Sequence, residues 1–444
     1  MFALVSAFLA SACLDVRPRS RFTRSPYLTA VFADRATVNW ATDRSHDEGS
    51  LQWGLAPSCD RHTARARKTA IEVKHGGKWQ WRVDLSHLEP GRSYCYRPLL
   101  DEVDLLGGSP SPEFIAAPAE GDATPFSFAV LGDWGQNSSE ESSVLQQIGQ
   151  SPARFVVTVG DNAYPSGDQD SYGDLTGGAV FGPEQLPLVG QRAVFAAPGN
   201  HGFLQNLPYL QNFPSDTVAR ASGGRYRQDT YCCTSAESNH EDYASAWYAF
   251  DWGNARFYVL ESAWSDGRED YQGDFEAHWN GPVRGCSVCG TELEWLRNDL
   301  AAHAATPMKF AFFHYPLHVD SSAQRSNPFT SGVGALEGLL AANGVDVAFS
   351  GHAHVYERNL PQVGNLVTYV TGGGGAPLSP INSCSPFDAY AIGANSACRA
   401  PFPEASLDVF HYLLVTVDGD TITVAPNAAD GLTFDVQTFH VPGS

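Results

Sequence analysis

The sequence predicts an α/β fold preceded by a smaller antiparallel β-sandwich. Over residues 26–118, short alternating runs such as "ATVNWAT" and "WQWRVDLSHL" are separated by turn residues, a pattern typical of antiparallel strands. Beyond a linker-like segment, "APAEGDATP", apolar strand-like runs such as "RFVVTVG" alternate with helical stretches such as "TELEWLRNDLAAH". We therefore predict a layered α/β domain over 125–444, in which "FHYLLVTVDGDTITVAP" forms a β-hairpin region near the C-terminus.

The composition restricts the class of protein. A chain of 444 residues is long enough for two or three domains, and 43% hydrophobic residues indicate a substantial core. The 42 Gly and 28 Pro favour strands and loops over a helical bundle. The formal net charge of −21 argues against nucleic-acid binding. If the substrate is an anion, a local positive charge must therefore attract it.

The first residues, "MFALVSAFLASAC", indicate export. An apolar stretch followed by small residues is typical of a signal peptide, here residues 1–12, and this stretch is too short to span a membrane. Cleavage before Cys13 would also suit a lipid on that cysteine and thus a membrane tether, although Ala10 stands where a lipobox usually has Leu. Residues 13–25 are basic and predict a linker. The expected location is secreted, periplasmic or at the cell surface.

The cysteines also favour an oxidising compartment. Of nine cysteines, eight remain when Cys13 is set aside, and an even number suits disulfides. The expected local pairs are Cys59 with Cys95 and Cys384 with Cys398. "CSVC" resembles half of a zinc site, but no second CxxC follows it. The sequence leaves open the pairing of the other four, which are Cys232, Cys233, Cys286 and Cys289.

Polar side chains follow five of the apolar runs in the α/β segment. In open α/β sheets, ligands gather where the carboxyl ends of strands meet their loops, and a preceding glycine permits close backbone approach. Each motif alone has a plain structural explanation, such as a turn or a buried histidine, but all five at strand ends are poorly explained by chance. The residues are Asp133, Asp161 with Tyr164, Asn200 with His201, His314, and His352 with His354.

This set of donors suits metal ions. Carboxylate oxygen and imidazole nitrogen bind borderline or hard divalent and trivalent ions. His352 and His354 are two residues apart, so an extended segment directs both rings to one side. One carboxylate can bridge two ions about 3.5–4 Å apart. Such a pair of ions would supply the positive field that an anionic substrate needs.

The motif order "GDWG…GDNAY…GNH…H…GHAH" resembles the signature of calcineurin-like metallophosphoesterases, and the tyrosine of "GDNAY" is similar to that of the purple acid phosphatases. The resemblance covers nearly the whole chain. It implies a fibronectin-III-like β-sandwich followed by a calcineurin-like α/β/β/α sandwich. "GHAHVYER" resembles the plant members, whereas "GDWG", "GDNAY" and "HYP" are closer to the mammalian tartrate-resistant form.

The resemblance implies two metal ions and hydrolysis of phosphate monoesters by a metal-bound hydroxide. The first ion, usually ferric iron with a coloured tyrosinate bond, would be held by Asp133, Asp161, Tyr164 and His354. Asp161 would bridge to a second ion, which is iron, zinc or manganese in relatives and would be held by Asn200, His314 and His352.

Two further histidines are candidates for substrate contact. His201 matches the family's histidine that contacts phosphate and helps to protonate the leaving group. Relatives carry another histidine beyond the "HYP" block, where this chain reads "VDSSAQRSN". His318, in "HYPLH", is either its substitute or a surface residue.

Three functions follow as alternatives. The leading one is an exported acid phosphatase that acts on small phosphate monoesters. The second is a phosphodiesterase or nucleotide pyrophosphatase on the same metals, for which the missing histidine and insertions around 165–190 and 205–245 leave room. The third is a binding or adhesion module that keeps the fold without turnover.

Overall fold

The structure is a computed structural model. It describes residues 22–43, 48–71, 73, 78–182, 192–201, 206–213, 226–227, 242–243, 247–261, 291–321, 335–401 and 408–441. The predicted signal peptide, Cys13, most of the predicted linker and the four cysteines of open pairing lie outside these residues.

Nine strands precede the α/β part of the chain. They are β1 (Phe22–Thr29), β2 (Arg35–Thr42), β3 (Gly49–Leu55), β4 (His62–Arg65), β5 (Arg67–Ile71), β6 (Lys78–Ser86), β7 (Ser93–Leu100), β8 (Val103–Asp104) and β9 (Glu113–Ile115). Strands β4, β3, β7 and β8 form one layer of a β-sandwich in that order, and β9 pairs with β7. Strands β1, β2, β6 and β5 form the other layer.

The rest of the described chain alternates strands and helices, as the sequence predicts. Its strands are β10 (Phe126–Leu131), β11 (Phe155–Thr158), β12 (Ala193–Ala196), β13 (Tyr226–Arg227), β14 (Asp242–Tyr243), β15 (Tyr248–Trp252), β16 (Ala255–Val259), β17 (Met308–Phe312), β18 (Val347–Ser350), β19 (Tyr356–Asn359), β20 (Val367–Thr371), β21 (Asp388–Gly393), β22 (Ser396–Cys398), β23 (His411–Asp418), β24 (Thr421–Ala428) and β25 (Gln437–His440). Its helices are α1 (Ser139–Gln150), α2 (Gln169–Tyr172), α3 (Asn206–Asn212), α4 (Thr291–Ala302) and α5 (Leu336–Ala342).

One sheet runs through both parts of the molecule. Its ten strands have the order β25-β24-β23-β10-β11-β12-β1-β2-β6-β5. The join is a parallel pairing of Leu28 in β1 with Ala193 in β12. The sequence predicts two consecutive units and does not anticipate this join. Because β1 begins at Phe22, the last four residues of the predicted 13–25 linker are strand instead.

A second sheet faces the first across an aromatic core. It has the order β15-β16-β17-β18-β20-β19-β21-β22. Phe128 of the ten-stranded sheet lies edge-on to Phe257 and Phe310 of this sheet, with ring centroids 5.2 Å and 5.3 Å apart. Edge-to-face contacts add to the free energy gained from burying the rings. The two sheets are thereby held face to face.

Helices cover the outer faces of both sheets. Val144 and Ile148 of α1 are buried in a cluster with residues of β10, β11 and β12. Leu300 of α4 and Leu340 of α5 are buried in a separate cluster with residues of β16, β17 and β18. This arrangement confirms the predicted α/β/β/α sandwich. None of the helices in the described ranges is long and apolar enough to cross a bilayer.

Two disulfides confirm the predicted local pairs. Cys59 is bonded to Cys95 and Cys384 to Cys398, with Cα atoms 5.1 Å and 5.7 Å apart. The second bond closes a loop that includes β21, the neighbour of β19 in the second sheet. Disulfides of this kind persist in oxidising compartments.

A buried acidic cluster beside β19 predicts greater stability at acidic pH. Burial and, to a lesser extent, the nearby Asp388 and Asp320 carboxyl groups raise the pKa of Glu357 to about 8, although the hydrogen bond from the Asp320 N–H lowers it. The unfolded chain has the ordinary pKa of 4.5, so the folded chain binds more protons between these values. The resulting stability is complete below pH 4.5 and is lost as the pH rises through 8.

Replacing Glu357 with Gln tests this pH dependence. The amide keeps an acceptor for the Asp320 N–H and removes the titration. We expect the fall in Tm of the wild type between pH 5 and pH 8 to be reduced by roughly 3–8 °C. Equal slopes of Tm against pH in the two proteins would contradict the assignment.

Candidate metal centre

All seven predicted ligands lie at the carboxyl ends of strands, and both sheets contribute. Strands β10, β11 and β12 are parallel neighbours, as are β17 and β18. The first group ends near Asp133, Asp161, Tyr164 and Asn200, and the second near His314, His352 and His354. The hydrogen bonds between the two groups show that the facing sheets bring these ends together.

Four of these residues form what we call the tyrosine cluster: Asp133, Asp161, Tyr164 and His354. The Tyr164 hydroxyl donates to Asp161 Oδ2 at 2.9 Å and lies 3.2 Å from Asp133 Oδ1 and 3.1 Å from His354 Nε2. His354 Nε2 lies 3.3 Å from Asp133 Oδ1. Two donors bound to one ion at about 2.1 Å and at right angles are about 3 Å apart. The spacing of this cluster therefore fits a common ion.

The other three ligands form the asparagine cluster: Asn200, His314 and His352. Asn200 Oδ1 lies 2.8 Å from His314 Nε2 and 3.0 Å from His352 Nδ1. One neutral amide oxygen and two imidazole nitrogens suit iron, zinc or manganese. Their spacing is again that of neighbouring donors on one ion.

Asp161 belongs to the tyrosine cluster, and its two carboxylate oxygens contact members of different clusters. Its Oδ2 accepts from Tyr164 in the tyrosine cluster. Its Oδ1 lies 3.4 Å from His314 Nε2 in the asparagine cluster and also accepts from the backbone N–H of His201 at 2.8 Å. A single carboxylate placed in this way could be shared by two ions.

The ligand loops adopt backbone conformations that need support from their surroundings. Asp133, Asp161 and His352 have φ angles of 55°, 49° and 65°. These angles lie in the left-handed region, which residues other than Gly rarely adopt. Such conformations concentrate at functional sites. A Cβ atom on Gly160 would clash with the His314 ring, and one on Gly199 would clash with Asp161. These two glycines permit the close approach that the sequence predicts.

Backbone carbonyls fix the orientation of two histidine ligands. His314 Nδ1 lies 2.8 Å from the Val159 carbonyl, and His354 Nδ1 lies 2.8 Å from the Pro377 carbonyl. If each Nδ1 donates its proton there, Nε2 is left with a lone pair for a metal. The sequence does not show these carbonyls, because any residue type supplies one.

The charges of the protein alone allow additional positive charge at this site. Burial raises the pKa of the Tyr164 phenol well above its ordinary value, and the Asp161 and Asp133 carboxylates raise it further. Burial lowers the pKa of His314, but Asp161 and Asp133 outweigh this effect and raise it to about 9. The phenol and the imidazole thus both carry protons, but the phenol is neutral, so the imidazolium offsets only one of the two buried carboxylates. Metal cations would replace those protons and convert the phenol to phenolate, so the donor set fits the ions.

Asn162 is a structural part of the site that the sequence analysis did not single out. Its Oδ1 accepts from Thr158 Oγ1 at 2.6 Å and from Trp134 Nε1 at 3.0 Å, and its Nδ2 donates to the Ala197 carbonyl at 2.8 Å. It thereby connects the loops that follow β10, β11 and β12. The sequence signal for a role at the site is the position of Asn162 inside the motif "GDNAY".

The two histidines predicted to contact substrate have different surroundings. The His201 ring packs on Tyr164, with centroids 4.3 Å apart, and its Nδ1 lies 2.7 Å from the Pro165 carbonyl. His318 Nε2 lies 3.0 Å from Glu337 Oε1, and its ring packs on Phe387. None of these His318 partners is a predicted metal ligand, so substrate contact by His318 stays a prediction.

The fold and the donor set define a metal-dependent phosphoesterase, and family models agree. Residues 126–356 match the calcineurin-like phosphoesterase family, and residues 25–114 match the purple acid phosphatase N-terminal domain. The chain belongs to the calcineurin-like phosphoesterases and, within them, to the purple acid phosphatases. It is therefore a hydrolase of phosphate esters.

Plant enzymes are among the similar proteins. Purple acid phosphatase 18 of Arabidopsis thaliana is 24% identical over 375 residues, which are 80% of this chain and 74% of that protein. Phosphoenolpyruvate phosphatase of Allium cepa is 22% identical over 353 residues, which are 77% of this chain and 63% of that protein. The structure of purple acid phosphatase PPD1 from yellow lupin (Lupinus luteus) seeds shares the fold, with a TM-score of 0.66, 17% identity and coverage of 94% of this chain and 74% of that one.

Proposed function

We propose that the protein is an exported acid phosphatase that hydrolyses small phosphate monoesters at a pair of metal ions. The observation that carries the proposal is Asp161, whose two oxygens contact two separate groups of donors. When bound, the ions supply positive charge for the phosphate and activate the water that attacks it. They also answer the charge problem, because a chain of net charge −21 needs local positive charge to attract an anion.

The tyrosine cluster is proposed to hold Fe(III). A buried phenol between two carboxylates would lose its proton to solvent only if a strong cation replaced that proton on its oxygen, and a phenolate is a hard, anionic donor. The asparagine cluster adds no negative charge of its own, which suits a divalent iron, zinc or manganese ion. Asp161 would be shared by the two.

The chain's own residues then bind substrate and move a proton. His201 Nδ1 lies against the Pro165 carbonyl, so Nδ1–H donates there and Nε2 remains for a second proton. The Asp161 carboxylate accepts from the His201 backbone and fixes the loop that carries the ring. His201 is proposed to hold the phosphate and to protonate the leaving alcohol.

Replacing Tyr164 with Phe tests the iron assignment through its colour. The purified protein should absorb visible light through a tyrosinate–Fe(III) bond, and the variant should lose that band. Tyr248→Phe is the matched control, since Tyr248 is a buried tyrosine that donates to the Ala196 carbonyl. A colourless, iron-free and active wild type would contradict the assignment.

A comparison of two chromogenic esters tests the reaction class. After metal loading, we expect p-nitrophenyl phosphate to be hydrolysed at least about tenfold faster than bis-p-nitrophenyl phosphate, a difference of about 1.4 kcal/mol in activation free energy. The opposite order would favour a phosphodiesterase or nucleotide pyrophosphatase. One observation favours that second candidate: His318, the candidate second acid, is paired with Glu337. Turnover of neither ester would favour a binding module.

We extend the proposal to the location of the protein. The "MFALVSAFLASAC" start and the two disulfides support export to a secreted, periplasmic or surface location. Removal of residues 1–12 would leave Cys13 at the new N-terminus, where a lipid would tether the protein to a membrane. Mass spectrometry of the mature protein distinguishes a lipidated from an unmodified Cys13.

A further inference from the structure

A cleft of about 790 Å³ opens beside the metal centre. Tyr164 lines it together with Asn137 from the loop after β10 and Pro377, whose carbonyl faces His354 Nδ1. Clefts of this volume accommodate organic ligands of drug size. The cleft therefore has room for the alcohol part of an ester whose phosphate is held at the metal centre.

The charged side chains that line this cleft are acidic. Asp168 and Asp170 both contribute to its wall, and none of its described lining residues is Lys or Arg. Asp168 Oδ1 accepts from the Ser171 N–H at 2.8 Å and from Ser171 Oγ at 2.6 Å, so its carboxyl group is held in place. Asp170 is exposed at the adjoining helix α2.

A nearby cation lies beneath the cleft and not in its lining. The fully buried Arg24 donates to Asn212 Oδ1 at 2.7 Å and to the Gly173 carbonyl at 2.9 Å. Its remaining nitrogen donates to the side chain and carbonyl of Gln169. These bonds hold the guanidinium inside the fold, where it supports α2; burial lowers its pKa, and the nearby Asp170 carboxylate partly offsets that effect.

We infer that this cleft receives the alcohol part of the substrate and selects monoesters of cationic or neutral alcohols over those that carry a second anion. The inference rests on the proposed phosphatase function. A trimethylammonium or ammonium group beside Asp168 and Asp170 is attracted, whereas a carboxylate or second phosphate is repelled. Both effects exist before and during the reaction, so they change KM more than kcat.

Three esters of similar size test the preference: choline phosphate, its uncharged carbon analogue 3,3-dimethylbutyl phosphate, and 3-phosphoglycerate. We expect kcat/KM to fall in that order in the metal-loaded wild type, by about 3- to 10-fold at each step at low ionic strength. High salt should reduce the differences in kcat/KM among the three esters, because it screens exposed charges.

A double variant, Asp168→Asn with Asp170→Asn, tests the residues. Asparagine at position 168 keeps an oxygen that accepts from Ser171 N–H, so the start of α2 is preserved. The choline phosphate to 3-phosphoglycerate ratio should fall at least about threefold, mainly through KM. The charge-matched control is Asp60→Asn with Asp430→Asn, two exposed sites that do not line the cleft.

The outcomes separate the inference from the proposed function. Hydrolysis of all three esters with equal kcat/KM, or a ratio unchanged in the cleft variant, would overturn the charge selection and leave the phosphatase function standing. An equal fall in the control variant would also overturn it, since overall charge would then be the cause. Hydrolysis of no monoester would refute the proposed function itself.

Discussion

Asp161→Asn is expected to lower phosphatase activity by about 1,000-fold or more and to reduce the bound metal. The carboxylate contacts both clusters, and a neutral amide is a weaker ligand that cannot bridge two cations by two anionic oxygens. Loss of about 4 kcal/mol of transition-state stabilisation corresponds to that factor. Asparagine accepts a φ of 49° well, so the backbone strain is not increased. Steady-state kinetics and metal analysis of the purified variant measure both effects.

Asp101→Asn is the control for this substitution. Asp101 also has a left-handed backbone, with a φ of 47°, but it lies in the β-sandwich and its side chain accepts from the Glu48 N–H. This variant should keep its metal and its activity. An Asp161→Asn enzyme that retains two ions and wild-type turnover would refute the bridging role.

His201→Ala is expected to lower kcat by roughly 10²- to 10⁴-fold while the metal content stays the same. The imidazole touches the ring of Tyr164 but is not among the predicted ligands. Alanine keeps the backbone N–H that donates to Asp161, so the ligand loop retains that bond. The variant therefore loses a proton donor and a phosphate contact without losing the site.

The pH profile distinguishes this role from a structural one. A general acid gives the rate a limb that falls at higher pH, and the variant should lose that limb. His440→Ala, at an exposed histidine of β25, is the control and should leave the profile unchanged. Unchanged kinetics in His201→Ala would remove the proton-transfer role, and a matching loss of metal would make His201 a structural residue.

The sequence predicts the layers of the fold better than the connections between them. Apolar runs such as the one that becomes β11 are short and continuous and end at a glycine, which is typical of strands buried on both faces. The pairing of Leu28 with Ala193 depends on a register between distant segments, for which local periodicity carries no information. For that reason the sequence does not show that the sandwich and the α/β part share one sheet.

The predicted metal ligands are easier to infer from the sequence than the groups that orient them. Parallel strands end at one edge, so motifs such as "GDNAY" and "GHAH" can be expected to meet there, and the donors Asp161 and His354 do lie together. The Val159 and Pro377 carbonyls that face the ligand imidazoles come from the backbone, which has no signature in the sequence. The pairing of His318 with Glu337 likewise depends on how α5 packs.

The most direct test is elemental analysis of the protein purified from its native compartment, with the iron oxidation state determined by spectroscopy. We expect two metal ions per chain, of which one is Fe(III) and the other is iron, zinc or manganese. An active enzyme that holds one ion per chain, or two ions with no iron, would contradict the account.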